Sequence, residues 1–186
     1  MNTVLKAIEE RFSCRNYTDK VIEEKDISAI AQAAIQAPSG MNRQNWQVIV
    51  IKDKSIVEEM EAAGMKILTD MEDKTAYERI MSRGGKLFYN APCMIVITVK
   101  EDASDMEWID CGILAQNVVL AATSLGIATV HCGMAGMPLA GDKGAGLRGK
   151  LKFKEGYKFG LGVLLGYAAD SGTAHVPDQE KITVIG

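Results

Sequence analysis

Apolar residues recur along this chain at two different periods, and the switching between them sets out its elements. Val4, Leu5, Ile8 and Phe12 fall at three- and four-residue steps and predict a first helix with one apolar face. Ile27, Ile30, Ala31, Ala34 and Ile35 repeat the pattern and predict a second helix from about Glu23. It stops before Pro38, because the residue ahead of a proline is pushed out of the helical region. Trp46 to Ile51 reads as a strand ending at Lys52-Asp53. Ser55 followed three residues later by Glu58 matches a capping box and predicts a third helix opening there, with Ile56, Met60, Ala63 and Ile67 turned inward. Residues 70–86 are polar, interrupted and end in Gly84-Gly85, which predicts a mobile, partly helical excursion.

Ala91-Pro92 then punctuates a second buried strand, Cys93 to Val99. The longest helical pattern runs from about Asp105 to Leu125, with Gly126 placed to end it as the C′ residue. Its apolar positions (Ile109, Ile113, Leu114, Val118, Val119, Leu120) spread wider than one face needs, which predicts packing on a partner as well as on its own sheet. Ile127 to Cys132 and Phe159 to Leu165 follow as third and fourth strands, and Ile182 to Ile185 as a short fifth. Helices and strands mix without a β-α-β-α rhythm, so the expected class is α+β. There is neither an internal repeat nor a linker, and residues 1–186 form one expected domain.

Composition narrows the function classes. A chain of 186 residues can bury roughly 70% of its unfolded surface in one core. With 47% hydrophobic and 24% charged residues it is ordinary globular material, and ten methionines against four phenylalanines predict a core filled partly by flexible side chains. A net charge of -3 gives no footprint for nucleic acid. No apolar run approaches the ~18 residues of a membrane span, and no apolar leader opens the sequence. Cys14, Cys93, Cys111 and Cys132 form no Cys-x-x-Cys pair and read as reduced thiols of a cytoplasmic protein.

Two stretches carry chemistry. In Arg11-Phe12-Ser13-Cys14-Arg15, residues at alternate positions of an extended segment point the same way, so two guanidiniums and a hydroxyl would converge on one anion such as a phosphate. In Ala37-Pro38-Ser39-Gly40-Met41-Asn42-Arg43-Gln44-Asn45-Trp46-Gln47, turn residues lead straight into the first strand, and Trp46 reads as core or interface packing. His131 beside Cys132 invites a metal or nucleophile reading, which the lack of any histidine besides His175 and of a nearby carboxylate pair disfavours. Gly144-Ala145-Gly146-Leu147-Arg148-Gly149 matches the dinucleotide fingerprint in form alone, because no strand precedes it and no acid follows at the right distance. Gln116 and Asn117 read as core polar groups seeking partners.

Together and in this order, the two stretches resemble the nitroreductase family of FMN-dependent oxidoreductases, and the resemblance runs from Val4 to Tyr167. It implies a mixed, mostly antiparallel central sheet flanked by helices, with the C-terminal segment exchanged in a homodimer and the long helix at the dimer axis. It assigns Arg11, assisted by Phe12 and Ser13, to the FMN phosphate end, and Arg15 to the N1/O2 edge of the ring, where it supports the charge of reduced flavin. Pro38 and Ser39 would lie against the isoalloxazine from the neighbouring subunit, with Asn42 and Gln44 giving polar contacts. Cys132, Gly133 and Met134 would bring backbone N–H groups near N5. The implied reaction passes hydride from NADH or NADPH through flavin N5 to a nitroaromatic, quinone or similar small acceptor by a ping-pong scheme, with no catalytic side chain and no metal. Alternatives are a flavin-binding protein of the same fold without general reductase turnover, and a specialised dehalogenase or ene-reductase. The chain departs from the family at His175–Lys181, where relatives often carry paired basic residues and this sequence has one lysine among acids. Arg11 and Arg15 then carry more of the anchoring, with Lys86 or Arg83 as candidates to compensate.

Overall fold

The computed structural model describes residues 2–186. Four strands form one sheet, β1 (Trp46–Ile51), β2 (Cys93–Lys100), β3 (Ala128–Cys132) and β4 (Tyr157–Gly166), in the order β1-β2-β4-β3 with every neighbouring pair antiparallel. The expected mixed character is confined to one isolated parallel bridge, Ser13 to Thr129. Helices α1 (Thr3–Glu10), α2 (Glu24–Ile35), α3 (Lys54–Asp70), α4 (Thr75–Met81), α5 (Asp105–Ser124) and α6 (Ala145–Lys150) complete the α+β architecture.

Strand β2 is central and covered on both faces, which is why it reads as an unbroken apolar run. Its odd residues, Cys93, Ile95, Ile97 and Val99, pack under α2 and α5 with Ile30, Leu114 and Val118. Met94 and Val96 face the other way, toward Met60 and Leu68 of α3 and toward Phe88. Between β2 and β4 the register slips at Ile97/Thr98, leaving Gly160 as the extra residue. A Cβ there would lie 3.0 Å from both Cys111 Sγ and the Ile97 carbonyl oxygen, so the crowding at this bulge favours glycine.

Helix α5 is well specified at both ends. Ser104 and Glu107 form a capping box. At the other end Gly126 takes φ +72°, Gly126 N–H reaches Thr123 O, and Ile127 N–H reaches Ala122 O, a Schellman closure. The box predicted at Ser55 is not there. Asp53 caps α3 instead, accepting from both Ser55 N and Ser55 Oγ, because a carboxylate two residues upstream takes the hydroxyl the box would need. Residues 70–86 hold α4 and the left-handed Gly84 and Gly85.

Two expectations change at the ends. The apolar face of α1 is turned outward, with Val4, Leu5 and Ile8 at 60%, 57% and 50% exposure and only Ala7 buried. Residues 182–186 form no fifth strand. Within one chain they pair with no sheet edge, and Ile182, Val184 and Ile185 are exposed. Among the described residues no helix is long and apolar enough to cross a membrane.

Candidate functional site

Residues 11–17 run from the end of α1 along the open edge of β3. Arg11 is the C-cap of α1, its N–H bonded to Ala7 O. Ser13 bridges Thr129, Cys14 N–H donates to Thr129 O at 2.9 Å, and Tyr17 N–H donates to Tyr89 O at 3.2 Å. The predicted alternation is followed only at its centre: Cys14 is buried in the α3-side core and Arg15 is exposed, whereas Tyr17, of the same parity as Arg15, is buried too and Phe12 is half-buried against the core. The Phe12 ring lies over Gly172, where a Cβ would come within 2.0 Å of it, so this ring is occupied by the chain's own tail. The tail is tied down beside it by Ala169 N–H to Asn16 O, by Tyr17 pairing with Ala168, and by Asn16 to Asp170.

Neither Arg11 nor Arg15 meets a carboxylate within 4.0 Å among the described residues; Arg15 reaches only the Ser13 carbonyl, at 3.4 Å. Two clefts open here. One of about 220 Å³ lies between Arg11, Phe12, Thr123, Gly126 and Thr129, and one of about 350 Å³ between Ser13, Arg15, Asp170, Gly172 and Thr173. Desolvation, and then the charge of Arg11, pull His131 below the usual histidine range. Each cleft holds one guanidinium and one carboxylate, Arg11 with Glu10 in the first and Arg15 with Asp170 in the second, and neither arginine is ion-paired within 4.0 Å among the described residues. Lys86 is engaged elsewhere, 3.6 Å from Glu61.

At the far end of β3, Cys132 is buried in the core, with its thiol pushed up by burial and facing the N–H groups of Ala135 and Met134. Burial raises the Cys14 thiol as well, so neither is a thiolate nucleophile at neutral pH. Only backbone can reach a ligand from Cys132; Gly133 and Met134 begin a 3-10 segment that ends at Leu139. The formal glycine motif at 144–149 follows this segment rather than a strand. Gly144 is there for packing, since its Cβ would sit 2.4 Å from the Leu139 backbone.

Pro38 to Gln44 form a tight loop ahead of β1. Met41, Asn42 and Gln44 all have left-handed φ, near +50°, which costs roughly 1–2 kcal/mol per residue without glycine, least for asparagine. Internal bonds hold it: Gln44 N–H to Ser39 Oγ at 3.0 Å, and Gln44 Nε2 to Asn42 Oδ1 at 2.9 Å. Two acids of α5 hold it from outside. Asp110 accepts the Gly40 N–H, and Glu107 accepts Asn45 Nδ2 at 2.7 Å. Three hydrogen bonds, from Ser104 N–H, the Asn45 amide and the Ser104 hydroxyl, pull the Glu107 carboxyl down to about 2. Sequence reasoning missed both acids as loop anchors; the one available signal was Asp110 itself, a carboxylate set in an apolar helical stretch. Trp46 and Asn117 match their readings, the first buried under α2, the second donating to Ala33 O at 3.0 Å, but Gln116 is exposed and is no core group.

The two chemical stretches do not meet within one chain. They sit on opposite edges of the sheet and toward opposite ends, since Trp46 is level with Val99 whereas Thr129 is level with Leu165 and Cys93. Along α5, Thr123 at the Arg11 cleft and Asp110 at the loop are thirteen residues apart, about 20 Å.

The Nitroreductase family model matches residues 8–167. A protein of Archaeoglobus fulgidus named "Putative NADH dehydrogenase/NAD(P)H nitroreductase" is 33% identical over 138 residues, covering 72% of this chain and 69% of that protein. Among solved structures, a nitroreductase with bound FMN from Desulfitobacterium hafniense DCB-2 is 51% identical, with a TM-score of 0.97 over 100% of both chains. A nitroreductase with bound FMN from Bacteroides fragilis NCTC 9343 is 28% identical, with a TM-score of 0.90 over 100% of both chains.

Proposed function

Because the chain belongs to the nitroreductase family, we propose that it is an FMN-dependent oxidoreductase that takes electrons from NADH or NADPH and passes them to a small acceptor such as a nitroaromatic or quinone. The observation that carries this reading is the pair Arg11 and Arg15, neither within 4.0 Å of a carboxylate among the described residues, on a segment that Ser13 ties to the edge strand β3. That donor set fits a ligand with a phosphate at one end and a polar ring edge at the other. When bound, FMN supplies the hydride- and electron-carrying ring, and the ping-pong order follows from one ring site serving donor and acceptor in turn.

The chain's own residues bind and orient. Arg11 and Ser13 hold the phosphate, each charge-assisted bond contributing about 1.5–3 kcal/mol. Arg15 places a fixed positive charge at the N1/O2 edge, and the backbone of residues 132–134 borders the other side. Pro38, Ser39, Asn42 and Gln44 close the site from a second copy of the chain, since within one copy they stand at the opposite corner of the sheet. The outward apolar residues of α1, with Met106 and Ile109 of α5, supply an interface for that copy, and residues 175–186 embrace it. The reading places the protein in the cytoplasm.

The test is direct. The purified protein is expected to be yellow, or to become so with FMN, and to oxidise NADH or NADPH when an acceptor is added. It should retain FMN over FAD, because the phosphate pocket is closed by Arg11 and Ser13. A colourless protein that refuses FMN contradicts the reading, and equal retention of FAD contradicts this placement of the phosphate.

A further inference from the structure

Asp110 is the one buried charged side chain among the described residues, at 5% exposure. Its two carboxylate oxygens lie 3.2 Å and 3.2 Å from a single donor, the Gly40 N–H, and no cation stands within 4.0 Å. One shared amide compensates a buried carboxylate poorly, so the residue does little for the packing of α5 that an apolar side chain would not do better. What it does secure is the loop. Glu107, one turn earlier on the same side of the helix, grips Asn45, so α5 holds the loop at both ends of its left-handed residues Met41, Asn42 and Gln44. Left-handed backbone at non-glycine residues persists only where the surroundings over-determine it.

We infer that Asp110 is a positioning residue for the ring-covering loop: it fixes Pro38–Gln44 in the shape that meets the flavin, without touching flavin or substrate itself. This rests on the reading above that the loop lies against the ring. The same stretch of α5 exposes Met106 and Ile109 at the face assigned to the second copy, so one helix sets both the interface and the loop that reaches across it.

Asp110→Ala and Asp110→Asn separate this role from a merely structural one. Asparagine keeps an oxygen for the Gly40 N–H; alanine does not. At saturating FMN, Asp110→Ala should change the visible circular dichroism and the midpoint potential of the bound flavin and raise KM for NAD(P)H several-fold, with Asp110→Asn returning all three toward wild type. Without FMN, amide exchange in Asp110→Ala should quicken at residues 40–44 and stay unchanged at residues 13–17. An Asp110→Ala protein with wild-type flavin spectrum, potential and KM overturns the inference, as does unchanged exchange at 40–44. Wild-type protein that takes up no FMN overturns the flavin reading instead, and the exchange experiment still decides whether Asp110 holds the loop.

Discussion

Residues 11–17 are fixed through their backbone, whereas residues 38–45 are fixed through side chains that reach them from another element. In the first, main-chain pairing with Thr129, Tyr89, Ala168 and Ala169 sets the position, and Cys14 and Tyr17 lock it into the core. The outward side chains are therefore free for chemistry, and replacing one leaves its neighbours in place. In the second, Asp110 and Glu107 of α5 support a loop rich in left-handed residues. Its shape depends on groups far away in sequence. A site assembled from both kinds has one half that tolerates local change and one half that fails from a distance.

The largest effect should come from shortening the chain, and two cuts sharpen the comparison. Ending it after Tyr167 removes the Ala168 bridge, the Ala169 bond to Asn16 and the Gly172 backbone under Phe12, so it strips the support of residues 11–17 within the same chain. Flavin retention should be abolished. Ending it after Ala174 keeps that support and removes the exposed Val176, Ile182, Val184 and Ile185. If those residues embrace a second copy, this shorter loss should also release FMN and dissociate or aggregate the protein. Absorbance at the flavin band with light scattering reads both. A protein cut after Ala174 that stays dimeric and fully loaded would discard the exchanged segment and leave the 168–172 strap as the cause.

Next in size, the two arginines should divide the work. Arg11→Ala should weaken FMN binding about 10–100-fold, the loss of one charge-assisted contact, with little change in the reduction rate of flavin that remains bound. Arg15→Ala should bind FMN nearly as well but lower the flavin's potential and slow its anaerobic reduction by NAD(P)H. Because backbone pairing fixes the segment, neither change should disturb Ser13 or Cys14. Equal effects of the two substitutions on affinity and on rate would end the division of roles.

What could be read in advance follows the same contrast. The 11–15 alternation needs only a local rule, that neighbours in an extended segment point opposite ways, and the burial of Cys14 beside the exposed Arg15 follows it, while the exposed Asn16 and buried Tyr17 break it. Helix α5 and strands β1 to β4 were legible within a few residues, because their apolar periods and end signals are local too. The support of the 38–45 loop was not legible, since Gly40 to Asp110 and Asn45 to Glu107 span seventy and sixty-two positions and no periodicity links them. The misplaced cap at Ser55 shows the limit of pattern matching: Asp53 competes for the same hydroxyl, and the pattern does not weigh competitors. The exposed face of α1 has the periodicity of a buried one; period reveals an apolar stripe, not which molecule covers it.

The smallest expected effect concerns pH and the loop alone. Glu107 accepts from Ser104 N–H at 2.8 Å, from Ser104 Oγ at 2.9 Å and from Asn45 Nδ2, and these bonds favour the charged form, lowering its carboxyl from the ordinary 4.5 to about 2. A carboxyl depressed in the folded state contributes stability that is complete above its unfolded pKa and is lost as pH falls through the folded one. The window is therefore about pH 4.5 down to about 2. Glu107→Gln removes the titration and leaves one oxygen, which can serve Ser104 (bonded at Oε2) or Asn45 (bonded at Oε1) but not both. The difference in unfolding midpoint between wild type and Glu107→Gln should be small, present near neutrality, shrinking below pH 4.5 and gone near pH 2. The change should also quicken amide exchange near Gly40 and Asn45 at neutral pH and leave the exchange of Cys14 untouched, because the bond from Cys14 N–H to the Thr129 carbonyl involves no titrating group. A midpoint difference that stays constant from pH 7 to pH 2 would mean that the Glu107 charge does not hold the loop, and that the two halves of the site differ less in their support than their hydrogen bonds indicate.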